Sequence, residues 1–335
     1  MLFEFPQGDI ERHGSAESWM AARPNRLNAS ETAALWGRSR YASRYSLYQD
    51  KAHGAAREAE ESTHMRRGKI FEGPIIEETR FRYGWKIEQW DQHASVVHPT
   101  LPVACTPDCL IVDDDDNQAL GQIKLASEWM KKNWTTEPPL EYQIQCQTEM
   151  FVTGVEMSYL IVVFGLSSEP EAIPVMRHAG FQRELERQIV EFWDGVKSGR
   201  EPEVDGSDAT MEAIKWRFPV DDGTGIDLTN DCDIWAREME ARKESIKADK
   251  MVVDELKAKI TSMMGEHAYA QIGDEAYAWK TSKQSRIDSK KIKEMYPDIA
   301  KACTKEVNVR TLRKVKSIPD EVFADIDFVA PEALL

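Results

Sequence analysis

The chain has 335 residues, of which 41% are hydrophobic and 30% are charged, and its formal net charge at pH 7 is −15. This composition is typical of a globular protein and excludes an intrinsically disordered chain. No apolar run approaches the roughly 18 residues that a membrane-spanning helix needs, and the amino-terminal residues contain neither a basic leader nor a cleavage site. We therefore expect neither a membrane protein nor a secreted one. The five cysteines lack a disulfide-framework spacing, which indicates reduced thiols in a cytoplasm.

Helical and extended patterns alternate through the first part of the chain. Hydrophobic periodicity and start signals predict helices at 15–53, with an interruption at Pro24-Asn25, and at 65–82, 138–153 and 178–198. Short apolar or alternating runs predict strands at 85–89, 94–98, 108–112, 119–125 and 158–164.

A change of composition divides the chain. Residues 206–230 contain the proline and glycine clusters of a linker, so we expect one domain over 1–205 and an extension over 231–335. In the extension, apolar residues recur at helical steps from Trp235 to Met263, which predicts an amphipathic helix of about 30 residues. Its apolar stripe suits either packing on the protein itself or pairing of subunits. A hairpin is expected after this helix, turning at Gly273-Asp274.

Positive charge is concentrated near the carboxyl terminus. Residues 280–316 contain twelve Lys or Arg against four acidic residues, although the whole chain is acidic. A chain polarised in this way can offer a basic track to phosphates while the rest of its surface stays acidic. A solvated helical face that balances an acidic body explains the same pattern, so both interpretations stand.

The segment at 106–124 contains the strongest chemical signal. Asp108 begins a short apolar run, an aspartate-rich turn follows, and a second run ends in Gln122-Ile123-Lys124, which predicts a β-hairpin. Alternation along the second strand places Gln122 and Lys124 on one face. A divalent cation held by oxygen ligands beside a lysine is an apparatus for phosphodiester hydrolysis.

Such a hairpin would supply most of a metal site. Asp108 and the carbonyl of Ile123 offer oxygen ligands, Glu72 on the preceding helix could add another, and Lys124 would orient the attacking water. From the spacing alone, a hairpin with surface charges explains the pattern as well.

Five motifs surround this hairpin within residues 15–165. They are Trp19-x-x-x-Arg23 with Asn28-Ala29-Ser30, Arg67-Gly68-Lys69-x-x-Glu72, Ala104-Cys105-Thr106-Pro107-Asp108, Gln122-Ile123-Lys124 and Tyr142-x-x-Gln145-x-Gln147. As an ordered set they resemble the phage-lambda-type exonuclease family, also called the YqaJ-type viral recombinases, of the PD-(D/E)xK nuclease superfamily. The resemblance implies an α/β fold whose nuclease core is a mixed central sheet flanked by helices, followed here by a mainly helical extension.

The resemblance also implies roles for individual residues. The implied metal ligands are Glu72, Asp108, Gln122 and the carbonyl of Ile123, with Mg²⁺ as the metal and Mn²⁺ as an alternative. Lys124 is the implied catalytic lysine. The implied site also includes Gln145 and Gln147, which would position the water or the DNA strand.

A second group of residues is implied to hold the end of the DNA. Arg23 and Ser30, with Thr106 in the place of a family serine, resemble a pocket for a terminal 5′-phosphate. A guanidinium fork with hydroxyls near a helix start suits phosphate. Met65 would be the apolar wedge that parts the duplex, although a methionine at helical spacing is more often a core residue.

The activity implied by the resemblance is metal-dependent 5′-to-3′ digestion of one strand of linear double-stranded DNA that carries a 5′-phosphate. The implied assembly is a homo-oligomeric ring, a trimer or a tetramer, that works with a single-strand annealing protein in recombination. The protein would then be a phage or prophage product that acts in the cytoplasm of the bacterial host, away from any membrane.

Gln122 departs from the family pattern, which has glutamate at this position. Glutamine is neutral, so we expect slower turnover while DNA binding persists. Three explanations compete: a substitution introduced to trap a DNA complex, natural variation with compensation by another ligand such as Glu128, and a natural non-catalytic protein. The functional alternatives are therefore an exonuclease impaired at Gln122 and a DNA-end-binding recombination scaffold, with an endonuclease of the same superfamily as a third.

Overall fold

The computed structural model describes residues 2–53, 63–134, 137–165, 167–228, 230–307 and 309–315. The chain divides into two compact units, Met1–Arg217 and Phe218–Leu335. The last basic residue of the predicted basic segment, Lys316, lies outside the described residues, as does the end of the predicted extension.

The first unit contains helices and strands in alternation. Its strands are β1 (Asp9–Arg12), β2 (Leu27–Asn28), β3 (Lys86–Gln89), β4 (Ala94–Val97), β5 (Val103–Cys105), β6 (Cys109–Val112), β7 (Gln118–Ala126), β8 (Met157–Phe164) and β9 (Glu171–Met176). Its α-helices are α1 (Ala16–Ala22), α2 (Arg44–Ala52), α3 (Thr63–Tyr83), α4 (Leu140–Thr153), α5 (Ala179–Ser198) and α6 (Asp208–Arg217). Short 3₁₀ helices cover Arg23–Asn25, Ala29–Trp36 and Glu128–Trp134.

Two sheets organise this unit. The central sheet has the strand order β3-β6-β7-β8-β9, with β7 and β8 parallel and the other pairs antiparallel. The smaller sheet has the order β1-β4-β5-β2, with β2 and β5 parallel. The expected α/β class, a mixed sheet flanked by helices, is confirmed.

Side-chain alternation in the central sheet creates two apolar layers. Leu110 and Leu120 belong to a core that includes residues of α4 and α5, such as Met150. Ile111 and Ile123 belong to a second core that includes residues of α3. Because successive side chains of a strand point to opposite faces, residues of β6 and β7 with even numbers face α4, and those with odd numbers face α3.

Helix α6 differs from the prediction, because it lies where the sequence indicates a linker. Thr210 on this helix is fully buried, and its hydroxyl lies 2.6 Å from that of Ser43, which caps α2. Ala213, also buried, lies one turn further along. These buried contacts explain why the first unit extends to Arg217 instead of ending at residue 205.

The second unit contains the predicted long helix and hairpin. Its elements are α7 (Asn230–Met264), β10 (Tyr269–Ile272), β11 (Glu275–Ala278), α8 (Ser289–Met295) and α9 (Pro297–Ala302). Ion pairs between residues four apart support α7, including Glu238 with Arg242 and Glu255 with Lys259. Strands β10 and β11 pair on either side of Gly273.

The apolar stripe of α7 is largely exposed. Trp235 is 67% exposed, and Ile246, Val253 and Leu256 are also exposed. Packing on the protein itself and pairing of subunits therefore both stay predictions for this stripe. The described Lys and Arg side chains of 280–315 are all exposed as well, which fits both interpretations of the basic segment.

Two further sequence expectations concern thiols and membranes. All five cysteines are free, and Cys105, Cys109 and Cys146 are buried. Burial raises the pKa of each of these three thiols, so they stay protonated and unreactive. Across the described ranges, no helix combines the length and the apolar character needed to cross a bilayer.

Candidate active site

The hairpin of β6 and β7 brings Asp108 against Gln122. Cys109 pairs with Gly121 in the antiparallel register, so Asp108 lies opposite Gln122 just beyond the end of β6. The Asp108 Oδ2 atom accepts hydrogen bonds from the backbone N–H of Ile123 at 2.6 Å and from Gln122 Nε2 at 2.5 Å. The predicted meeting of these residues is present, and a backbone donor holds the carboxylate in place.

Gly121 allows the two strands to approach at this point. A Cβ atom on this residue would lie 2.3 Å from Cys109 Sγ and 3.0 Å from Ile111 Cδ1. A larger side chain at position 121 would therefore force a shift in the strand pairing directly beside Gln122 and Asp108.

Lys124 lies on the same face of β7 as Gln122. Its ammonium nitrogen is 5.1 Å from the centre of the Tyr142 ring, a cation–π contact with the first turn of α4. Ile123, between them, points to the opposite face and packs in the second core, so only its backbone faces the site.

Helix α4 contributes Gln145 and Glu149, which are one turn apart on one face. Gln145 Nε2 donates to Gln122 Oε1 at 2.7 Å and to Glu149 Oε1 at 3.1 Å. Glu149 is completely buried, and its Oε2 atom has no hydrogen-bond partner among the described residues. Glu149 is not among the residues predicted from the sequence, although its spacing of four residues from Gln145 places both on one face of the helix.

Burial of Asp108 and Glu149 raises the pKa of both carboxyl groups. Burial raises the pKa of Asp108 to about 6, and Glu72 acts in the same direction, whereas Lys124 and the donated hydrogen bonds lower it. Burial also raises the pKa of Glu149 to about 8, and the charge of Asp108 adds to this effect. Two coupled carboxyl groups in such surroundings favour a bound proton or a bound cation.

We expect the metal-free protein to lose stability as the pH rises, with Glu149 as one cause. The pKa of Glu149 is about 8 in the folded chain and near 4.5 when solvated. Its stabilising contribution is therefore complete below the lower value and is lost as the pH rises towards the higher one. Urea unfolding at about pH 5 and about pH 9 should show a smaller pH-dependent loss in Glu149→Gln than in the original chain. Equal losses in the two proteins would contradict this assignment.

The predicted end pocket and the acids share one cavity. Its volume is about 360 Å³, and its lining includes Arg23, Ser30, Thr106, Asp108, Gln145 and Glu149. The parallel pairing of β2 with β5 brings the chain before Ser30 alongside the chain before Thr106. The smaller sheet therefore aligns the two hydroxyl residues at the edge of the cavity.

A partly buried carboxylate, that of Glu31, orients Arg23. Arg23 Nη2 lies 3.3 Å from Glu31 Oε1, and the guanidinium carbon lies 4.8 Å from the centre of the Trp19 ring. Lys51 Nζ contacts Glu31 Oε2 at 2.8 Å and also donates to the Arg23 carbonyl at 3.0 Å. Burial alone would raise the pKa of Glu31, but Lys51 and Arg23 lower it below its ordinary value, so that it remains charged.

The remaining predicted residues lie in different surroundings. Glu72 lines the cavity, and its Oε1 atom accepts from Gln89 Nε2 at 3.2 Å. Gln147 lies on another face of α4, where it donates to the Met176 carbonyl at 2.7 Å, so the structure does not bring it to the acids. Met65, on the first turn of α3, is 54% exposed and does not line this cavity.

The oxygen donors suit a hard cation. No group of three or more acidic, histidine or cysteine side chains is close enough to hold a metal within the described ranges. However, Mg²⁺ commonly takes only one or two carboxylates and keeps several waters. Asp108 and Gln122 Oε1 are oxygen donors near the unpartnered oxygen of Glu149, and this donor set fits Mg²⁺ or Mn²⁺.

Comparisons with known proteins support the predicted family. Residues 18–156 match the YqaJ-like viral recombinase domain, a stretch that includes all five motifs. The YqaJ protein of Bacillus subtilis (strain 168) is 26% identical over 310 residues, which cover 88% of this chain and 93% of that protein. The predicted resemblance is therefore confirmed.

Solved structures of exonucleases are also similar to this chain. The alkaline exonuclease LHK-Exo from Laribacter hongkongensis has 21% identity and a TM-score of 0.47, with 55% of this chain and 94% of that chain covered. A phage-related exonuclease from Haemophilus somnus 129PT has 10% identity and a TM-score of 0.39, with 52% of this chain and 96% of that chain covered.

Proposed function

We propose that this chain, whose residues 18–156 belong to the YqaJ-like viral recombinase domain family, is a metal-dependent 5′-to-3′ exonuclease acting on linear duplex DNA. One observation carries the proposal. The acids and Gln145 line the same cavity as Arg23 and Ser30, so a reacting phosphodiester and a terminal phosphate could be held together. An end-binding pocket next to the hydrolytic residues favours digestion from an end over internal cutting.

The proposed chemistry divides between the cation and the chain. A bound Mg²⁺ or Mn²⁺ would polarise the scissile phosphate and acidify the attacking water. Asp108, Gln122 Oε1 and the Ile123 carbonyl would hold it, with Glu72 acting directly or through water. Lys124, held over Tyr142, would orient the water and offset the negative charge that develops on the phosphate.

The opposite part of the cavity would recognise the DNA end. The Arg23 guanidinium is held by Glu31 and Trp19 and can present its remaining donors to a 5′-phosphate. Ser30 and Thr106 would add hydroxyl donors. Met65 is proposed as the wedge at the duplex end, and its exposure on α3 is compatible with contact to a base.

We further propose that the protein works as a homo-oligomeric ring in the cytoplasm of a bacterial host, with a single-strand annealing protein as partner. The support is electrostatic. The chain is acidic overall, with a net charge of −15, but its basic residues are concentrated at 280–316. A ring could keep such positive charge for the DNA and present acidic surface to the solvent.

A second candidate function is a non-catalytic DNA-end-binding scaffold. The observation in its favour is Gln122, a neutral amide at the position where the family has a carboxylate. Its Nε2 atom donates a hydrogen bond to Asp108 Oδ2. In that case the same cavity would bind the phosphorylated end without hydrolysis.

Three substrates separate these functions. Linear duplexes with 5′-phosphate or 5′-hydroxyl ends, and a closed circle, would be incubated with the full chain and Mg²⁺ or Mn²⁺. Preferential digestion of the 5′-phosphorylated duplex supports the exonuclease. Binding of that duplex without digestion would support the scaffold, whereas cleavage of the circle would replace the proposal with an endonuclease.

Restoring a carboxylate at position 122 should accelerate digestion. In Gln122→Glu, the new carboxylate would strengthen the metal site beside Asp108, and we expect the rate to rise at least about tenfold. Initial rates on a 5′-phosphorylated duplex at saturating Mg²⁺ provide the measurement. Equal rates in both proteins would show that Gln122 does not impair the site.

A further inference from the structure

The carboxylate of Glu149 is buried without adequate partners. The residue has no exposed surface, its Oε1 atom accepts one hydrogen bond from Gln145, and its Oε2 atom accepts none among the described residues. Burial of a carboxylate without full compensation is costly, so such a group is retained where it meets a cation or a proton.

The position of Glu149 relates it directly to Gln122. Both Glu149 Oε1 and Gln122 Oε1 accept from the single nitrogen Gln145 Nε2, at 3.1 and 2.7 Å, so the two oxygens lie close together. Gln122 in turn contacts Asp108 at 2.5 Å. Asp108 and Glu149 also line the same cavity, one at the end of β6 and the other on α4.

We propose that Glu149 supplies the second carboxylate of the metal site and thereby replaces the glutamate that is absent at position 122. This inference rests on the proposed metal-dependent function and adds a ligand to it. Asp108 and Glu149 provide the two negative charges that Asp108 and a glutamate at 122 would provide, and Gln122 remains as a neutral oxygen ligand.

Natural compensation by another ligand is then the explanation for Gln122, and that ligand lies on α4. The compensation is partial, because Gln122 remains a neutral ligand beside Asp108, so a glutamate at position 122 would still strengthen the site. Glu128, the acid that follows Lys124 on the chain, is exposed beside Gly165 and does not line the cavity of Asp108.

Metal binding by a set of full-length variants tests the proposal. Free Mn²⁺ would be measured by electron paramagnetic resonance during titration of the original chain, Glu149→Gln, Gln122→Glu and the double variant, with Glu128→Gln as the matched control. We expect Glu149→Gln to weaken Mn²⁺ binding at least about tenfold. The double variant should regain the lost affinity, because a carboxylate returns at the neighbouring position. Glu128→Gln should bind as the original chain does.

Three results would overturn the proposal. The first is unchanged Mn²⁺ affinity in Glu149→Gln, and the second is a loss that Gln122→Glu does not restore in the double variant. The third is the absence of measurable Mn²⁺ binding by the original chain. Failure of the nuclease proposal is distinguishable, because DNA would then stay intact while Mn²⁺ binding still depended on Glu149.

Folding of the variants is controlled separately. Glutamine has nearly the size of glutamate and replaces a buried carboxyl group whose Oε2 atom has no partner among the described residues, so metal-free Glu149→Gln should melt at or above the temperature of the original chain. Glu149→Met, which is of similar volume and has no charge, provides a second variant and should lose Mn²⁺ affinity in the same way.

Discussion

Asp108→Asn is expected to lower the rate of DNA digestion by about 10³-fold or more. Asp108 is the central carboxylate of the proposed metal site. Its Oδ2 atom accepts hydrogen bonds from the Ile123 N–H and the Gln122 amide, which hold it in place. Asparagine keeps the shape but removes the charge that would hold the cation. The measurement is single-turnover digestion of a 5′-phosphorylated duplex.

The matched control for this variant is Asp114→Asn, which makes the same chemical change in the exposed turn of the same hairpin. It should digest DNA at the original rate. Metal-free Asp108→Asn should be as stable as the original chain, or more stable, above pH 6. Burial raises the pKa of Asp108 to about 6, so its ionisation costs folding stability above that pH. Retained digestion by Asp108→Asn would refute the assigned metal site.

Lys124→Ala should reduce digestion by about 10²- to 10⁴-fold. Its ammonium group is the positive charge that acts on both Asp108 and Glu149, and it is held over the Tyr142 ring at 5.1 Å. Its removal leaves the attacking water without an orienting group and the phosphate without charge compensation. Rates would be measured across a range of Mg²⁺ concentrations.

Metal binding distinguishes this lysine from the ligands. Lys124→Ala should bind Mn²⁺ as tightly as the original chain, or more tightly, because a positive charge next to the site has been removed. Lys86→Ala, at an exposed position of β3, is the matched control and should leave the rate unchanged. A variant that lost Mn²⁺ binding together with activity would point to a collapsed site instead of a missing catalytic lysine.

The hairpin could be predicted because residues that are close together in the sequence determine it. Asp108 and Gln122 lie on strands joined by a short turn, and alternation with period two decides which side chains share a face. The turn itself uses Asp113, whose Oδ1 atom accepts from the backbone N–H groups of Asp115 and Asn117. The aspartate-rich stretch is thus a turn structure and not a cluster of ligands.

The sequence predicted less well which residues of a helix face the site. Gln145 and Gln147 occur in one motif, but residues two apart on a helix point in different directions. Gln145 therefore meets Gln122, whereas Gln147 binds the Met176 carbonyl at the end of β9. Helix α6 was not predicted, because the sequence around it is rich in proline and glycine. The helix is held by a buried contact with Ser43, a residue far away in the sequence.

The sequence by itself determined the resemblance to the YqaJ-like viral recombinase domain, the mixed α/β core, the hairpin of Asp108 and Lys124, and the long helix of the extension. Each of these follows from short-range periodicity or from motifs in fixed order. Only the tertiary structure decided that Glu149 shares a hydrogen-bond donor with Gln122 and lines the cavity of Asp108. That meeting requires α4 to pack across the even-numbered face of β7, a long-range arrangement that no local pattern encodes. This arrangement is the reason that we propose Glu149 as the source of the carboxylate that is absent at position 122.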